Sequence, residues 1–119
     1  MVLLRCLKKE TEPFAFYYAR SGPLFKRMTI IGVGLIGGSL GLKCKLEGLV
    51  GEVVGVGRGV GNLEDALSLR AIDSYTHDAA QGVKGADLVV LATPVGSFSS
   101  LVEVIRPHLK RDTLVTDVG

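Results

Sequence analysis

Cysteine is scarce in this sequence: Cys6 and Cys44 are the only two among 119 residues, far apart, with no Cys-x-x-Cys partner and no histidine at metal-ligand spacing. That pattern speaks against a zinc site and a disulfide framework and fits a reducing, cytoplasmic setting. Long apolar runs are missing too. The charge-free stretch Met28 to Leu42, which none in the chain exceeds in length, is cut by five glycines and makes no membrane span. No repeat of solenoid length is present. A large excess of one charge is also absent, since the formal net charge is +2. Residues 1–27 carry six Lys/Arg against two Glu, and residues 28–119 carry eight against ten, so the positive excess belongs to the N-terminal arm. Diluted by Phe14, Phe16, Tyr17 and Tyr18, that arm reads as a solvated, partly packed segment, and neither nucleic acid nor a membrane is an expected partner. Its first ten residues lack the order of a targeting peptide, because Arg5 interrupts the apolar stretch and Lys8 and Lys9 follow it.

What the chain does hold is glycine, sixteen of them, within a composition that is 47% apolar and suited to one packed domain. The expected organisation is an N-terminal extension over 1–27 and a single domain over 28–119. From Met28 onward short β-branched runs alternate with longer helical patterns, the signature of βαβ units feeding a parallel sheet. Strands are predicted at Thr29 to Ile31, Glu52 to Val56, Tyr75-Thr76, Leu88 to Ala92 and Leu114 to Thr116. The continuous apolar run Leu88-Val89-Val90-Leu91-Ala92 is the expected central strand. A first helix is predicted over Leu35 to Leu46, with Leu35, Ser39, Leu42 and Leu46 on one stripe and Ile36 and Leu40 beside it. Asn62 is the expected cap of a second helix through Leu69, with Glu64 and Asp65 in its first turn. Asp78 caps a short third helix ending near Gly82 or Gly85. Ser97, Ser99 or Ser100 caps a fourth, running to about Leu109 with Val102 and Ile105 on its inner face and Pro107 distorting its last turn. Five strands and four helices in this order make an α/β, Rossmann-type doubly wound parallel sheet of strand order 3-2-1-4-5, expected to be truncated after the fifth strand.

The chemistry lies in Gly32-Val33-Gly34-Leu35-Ile36-Gly37, which leaves the first strand and opens the first helix. Gly32 allows the tight exit, Gly34 lets backbone approach a pyrophosphate, and Gly37 lets the helix pack on the sheet. The helix N-terminus then offers free N–H groups and a positive dipole end to the anion. NAD-selective sites place a carboxylate on the ribose 2′-hydroxyl roughly 20 residues downstream. Here that position holds Gly57, followed by Arg58. A guanidinium grips a 2′-phosphate bidentately, which favours NADP over NAD. Arg58 lying flat on the adenine would serve either cofactor. Ala92, Thr93 and Pro94, after the fourth strand, are expected to line the crevice where strand order reverses. Asp117 either faces that crevice or caps a turn. His77 and His108 are expected on the surface, away from the crevice. Gly32, Gly34, Leu35, Ile36, Gly37, Arg58, Ala92, Thr93, Pro94 and Asp117 are thus the expected cofactor contacts, with no catalytic residue and no metal ligand assigned.

With these residues assembled, the chain resembles the N-terminal cofactor domain of the prephenate/arogenate dehydrogenase family of tyrosine biosynthesis. The likeness is carried by Ile30 to Leu40, Val54 to Arg58, Ala71-Ile72-Asp73, Asp87 to Val95 and Val115 to Gly119. It implies NAD(P)-dependent oxidative decarboxylation, in which a histidine base acts on the ring hydroxyl, hydride passes to the nicotinamide and carbon dioxide leaves. The family's serine and histidine are expected beyond Gly119, so the chain by itself is expected to be inactive. Exposed apolar surface points to a homodimer as a further partner beside the dinucleotide, with Phe14, Phe16 and the Tyr17-Tyr18 pair packed against the sheet edge or the exposed face, in the same subunit or across a symmetric dimer, and a frayed N-terminus as the alternative. Arg70 departs from the family, where a glycine commonly ends the second helix. A free-standing dinucleotide-binding module with a sensing or partner-binding role is the alternative function, and a related NADP-dependent reductase is a third.

Overall fold

The structure, a computed structural model, describes residues 22–118. Cys6 and the aromatic cluster Phe14 to Tyr18 lie outside the described residues. Five parallel strands, β1 (Phe25–Ile31), β2 (Val50–Val56), β3 (Ser74–Thr76), β4 (Leu88–Leu91) and β5 (Leu114–Asp117), form one sheet in the order β3-β2-β1-β4-β5. Four α-helices connect them: α1 (Leu35–Leu46), α2 (Val60–Ser68), α3 (Ala79–Gly82) and α4 (Phe98–Ile105). No helix among the described residues is long and apolar enough to cross a membrane.

Alternation along the strands builds two cores, because successive side chains point to opposite faces. Met28, Ile30, Leu88 and Val90 point to one face and pack with Leu40 and Cys44 of α1 and Leu63 and Ala66 of α2. Ile31, Val89 and Leu91 point to the other and pack with Val83, Ala86 and Ile105, joined by Phe98 and Leu101 of α4. The result is a sheet covered on both sides. Each of the large buried side chains contributes roughly 1.5–3 kcal/mol. Thr29, turned to the second face and fully buried, donates its hydroxyl proton to the Gly82 carbonyl at 2.7 Å. Burial pushes the Cys44 thiol up to about 11, which marks it as an inert core residue.

Several local expectations are corrected. The central strand is β1, hydrogen-bonded to both β2 and β4, and the more apolar β4 lies beside it. β1 takes in Phe25, Lys26 and Arg27 ahead of Thr29. The buried face of α1 is Gly37, Leu40, Gly41 and Cys44, while Leu35 and Leu46 are 88% and 74% exposed. Small residues face the sheet because the helix axis lies close to it: a Cβ on Gly41 would stand 3.1 Å from the Ile30 Cδ1 of β1, and 2.6 Å from the Ala71 carbonyl oxygen in the α2–β3 connection. The expected stripe instead flanks a groove of about 370 Å³ between α1 and α2, lined by Leu35, Ser39, Leu42 and Leu69 among others. α2 is capped by Gly59, whose carbonyl accepts from Leu63 N–H at 3.2 Å, so Asn62 lies inside the helix and Glu64 and Asp65 fall beyond its first turn. Asp78 caps α3 as expected, its carboxylate accepting from Ala80 and Gln81 N–H groups. α4 is shorter than expected and bounded by 3-10 turns at Val95–Ser97 and Arg106–His108, the second containing Pro107. Ser97 stands at its start without a side-chain cap, the Ser100 hydroxyl bonds back to the Ser97 carbonyl, and Val102 is exposed while Ile105 is fully buried.

Arg70, just past the end of α2, holds φ +62°, the left-handed conformation that glycine adopts without a Cβ penalty. Arg70→Gly is therefore expected to stabilise the domain by about 0.5–1 kcal/mol, read as a higher melting temperature. An unchanged or lower value would show that the arginine side chain compensates for the strain.

At the N-terminal edge of the sheet, Asp87 ties its own strand to β1 and to the turn before β5. Its carboxylate accepts from the N–H groups of Lys26 and Arg27, both at 3.1 Å, and pairs with Lys110. The Lys110 hydrogen bond first, and then the backbone donors, hold the Asp87 carboxyl below its usual range. A carboxyl lowered on folding contributes stability above its unfolded pKa, about 3.9, and loses it as pH falls through the lower folded value. Asp87→Asn is thus expected to destabilise the domain at neutral pH and to differ less from the parent near pH 3, as urea melts at the two pH values would report.

Candidate cofactor site

All five strands run the same way, so the ends of β1, β2, β4 and β5 open on one edge of the sheet. The expected site residues gather there. Gly32 leaves β1 with φ +98°, and its N–H donates to the Val56 carbonyl at the end of β2. A side chain at Gly32 would meet the Thr93 methyl at 2.8 Å and the Ala92 backbone at 2.9 Å, so the loops after β1 and β4 are in direct contact. Ala92 N–H donates to the Ile31 carbonyl at 2.8 Å, and Pro94 opens the 3-10 turn before α4. Asp117 ends β5 in register with Leu91, exposed on the same edge.

Gly34 differs from the other two glycines of the motif, Gly32 and Gly37. It caps α1 in an extended conformation with no side-chain hydrogen bond, and a Cβ built on it would meet nothing within 4 Å. The fold itself therefore does not require glycine at this position. Behind it, the first-turn N–H groups of Leu35, Ile36 and Gly37 find no carbonyl partner among the described residues. The Thr93 hydroxyl, at the neighbouring loop, is buried with no hydrogen-bond partner among the described residues. A glycine with open space above it, free helix N–H groups and an orphaned hydroxyl side by side fit a dinucleotide lying across the loop. Leu35 and Ile36, 88% and 59% exposed, contribute N–H groups, and their apolar side chains project from the fold.

Arg58 lies in the loop between β2 and α2, next to Gly57, with its side chain open to solvent. One residue near it runs against expectation. His77, expected away from the crevice, is exposed but stands at this same edge, with Nδ1 2.8 Å from the Gly57 carbonyl oxygen. Its only local signal is its place directly after the third strand. His108, in the 3-10 turn after α4, is exposed and stands apart from these contacts.

An open doubly wound sheet with a glycine loop at the point where strand order reverses defines a Rossmann-type dinucleotide-binding domain. The family described as "Prephenate dehydrogenase, nucleotide-binding domain" matches residues 40–119, and the chain belongs to it. That match begins inside α1, past the glycine loop. Among curated relatives, the cyclohexadienyl dehydrogenase of Zymomonas mobilis is 32% identical over 96 residues, 81% of this chain and 33% of its own length. The prephenate dehydrogenase of Bacillus subtilis is 34% identical over 91 residues, 76% of this chain and 24% of its own. The chain thus spans a third or less of the length of these relatives. Among solved structures, the prephenate dehydrogenase of A. aeolicus in complex with hydroxyphenyl propionate and NAD+ superposes with a TM-score of 0.70 at 27% identity, over 77% of this chain and 32% of that one. Synechocystis arogenate dehydrogenase does so with 0.71 at 29% identity, over 78% and 32%.

Proposed function

We propose that this domain holds the nicotinamide dinucleotide of a prephenate- or arogenate-oxidising dehydrogenase and that it favours NADP over NAD. The observation that carries the reading is Gly34, a glycine the fold does not need, set in front of unpartnered helix N–H groups. The N–H groups of Leu35, Ile36 and Gly37 bind the pyrophosphate, with the α1 dipole adding to their attraction. Gly32 and Gly37 keep the loop closed on the sheet, and Ala92 and Pro94 wall the crevice. The Thr93 hydroxyl donates to or accepts from a polar group of the nicotinamide half, and Asp117 lies on the same side. When bound, the cofactor supplies the hydride acceptor for oxidative decarboxylation. The chain's own part is to bind it, orient its ring and exclude water beneath it. The setting proposed for this chemistry is the cytoplasm, with the domain working inside a homodimer.

The NADP preference rests on Gly57 and Arg58. With no carboxylate at the end of β2 to repel a 2′-phosphate, the Arg58 guanidinium is available to pair with it. Arg58→Ala is expected to weaken NADP about tenfold and NAD little, since a charge-assisted hydrogen bond contributes roughly 1.5–3 kcal/mol and exposure reduces that. Isothermal titration of both proteins with both oxidised cofactors checks this. Equal losses for the two cofactors would place Arg58 on the adenine ring instead, and much tighter NAD binding by the parent chain would end the NADP proposal.

A further inference from the structure

We propose that His77 is a specificity residue for the adenosine end of the cofactor: it fixes the Gly57 carbonyl through Nδ1 and, in its charged form, adds a second positive group beside Arg58 for a 2′-phosphate. The proposal rests on the dinucleotide reading above. A carbonyl oxygen can only accept, so the 2.8 Å contact places a proton on Nδ1. The Gly57 N–H meanwhile donates to the Thr76 carbonyl at 3.4 Å. The residue just past β2, twenty positions after Gly37, is therefore held on both sides by the exit of β3. Arg58 follows it directly.

With Nδ1 committed, the state of Nε2 decides what the ring offers. In the neutral ring Nε2 is an acceptor, suited to a ribose hydroxyl and repelled by phosphate oxygens. In the charged ring it is a donor beside a positive charge, suited to phosphate. Tyr75 of β3 braces the ring by meeting it edge-on, with centroids 5.9 Å apart and planes at 68°. The Tyr75 hydroxyl in turn donates to Glu64 of α2 at 2.8 Å. Of the charged residues on the elements around the ring, Glu64 of α2 reaches it only through Tyr75, Arg58 follows Gly57 in the β2–α2 loop, and Asp78 is the next residue along the chain. The Asp78 carboxylate is engaged in capping α3, accepting from Ala80 N–H at 3.0 Å and Gln81 N–H at 3.5 Å.

The test compares dissociation constants of NADP and NAD for the parent chain, His77→Gln and His77→Phe, at about pH 6 and about pH 8. Glutamine can keep a donor on the Gly57 carbonyl but cannot charge, and phenylalanine does neither. The 2′-phosphate titrates near pH 6 itself, identically in all three experiments, so only differences between proteins count. The preference of the parent for NADP over NAD is expected to grow from pH 8 to pH 6 by roughly fivefold more than that of His77→Gln. His77→Phe is expected to bind both dinucleotides several-fold more weakly than the parent at pH 8, with an unchanged melting curve because the residue is exposed. Parallel pH responses in the parent and the glutamine variant would overturn the charge role, and parent-like affinities in the phenylalanine variant would overturn the positioning role. Failure of the parent to bind either dinucleotide at either pH would overturn the cofactor reading and this proposal together.

Discussion

Gly34→Val is expected to leave the melting temperature of the domain unchanged and to weaken dinucleotide binding by about two orders of magnitude, roughly 3 kcal/mol. The first half of that expectation follows from the fold. Gly34 adopts φ −114° and ψ −151°, extended backbone open to any residue, and a side chain there meets no protein atom within 4 Å. The second half follows from the ligand. A branched side chain would stand where the pyrophosphate must approach the Leu35 and Ile36 N–H groups, and the lost hydrogen bonds and dipole attraction have no substitute. Parallel calorimetric titration and thermal melting separate the two effects. A lower melting temperature with binding retained would assign Gly34 to the fold.

Gly37→Ala should do the reverse. Its Cβ would lie 2.6 Å from the Gly32 carbonyl oxygen, 3.1 Å from the Ile30 Cγ2 and 3.4 Å from the Ala92 Cβ. The first contact is with backbone, so relief requires moving α1 away from β1 or distorting the loop. Overpacking of this kind costs about 2–3 kcal/mol, which in a domain of this size lowers the melting temperature by roughly 10–20 °C. Urea denaturation at saturating and zero cofactor tests it. Wild-type stability would mean that the loop relaxes at little cost, and the division of the motif into a ligand glycine and a packing glycine would fall with it.

Much of the architecture is legible in the sequence because buried parallel strands advertise themselves. Leu88-Val89-Val90-Leu91 fills both cores at once, which leaves no polar position in the run, and its flanking turns fix its ends. The glycine loop is equally legible, since its spacing reports local backbone geometry. The inner face of α1 is not. Large apolar residues usually mark the core side of a helix, but here Gly37 and Gly41 let the helix lie against the sheet while Leu35 and Leu46 point outward. Periodicity weighted by size selects the wrong stripe in such a helix. The start of α2 is hidden for a related reason: Gly59 caps with its backbone alone and leaves no side-chain signature, whereas Asn62 advertises a cap it does not make. The place of His77 depends instead on a long-range pairing. Val56 stands opposite Thr76 in the β2–β3 register, and that pairing brings His77 beside Gly57. Within a few residues of His77, only its place directly after the third strand hints at it.

Amide resonances of the glycine loop are where a bound dinucleotide must show itself. In a 15N-labelled sample titrated with NADP and with NAD, the N–H signals of Leu35, Ile36 and Gly37 are expected to move first and furthest, since these donors have no carbonyl partner among the described residues. Thr93 is expected to follow, as its buried hydroxyl gains a partner, and Gly57 and Arg58 are expected to respond more to NADP than to NAD. Saturable shifts confined to other surfaces, or no shifts at millimolar cofactor, would contradict the assignment of this edge of the sheet as the cofactor site.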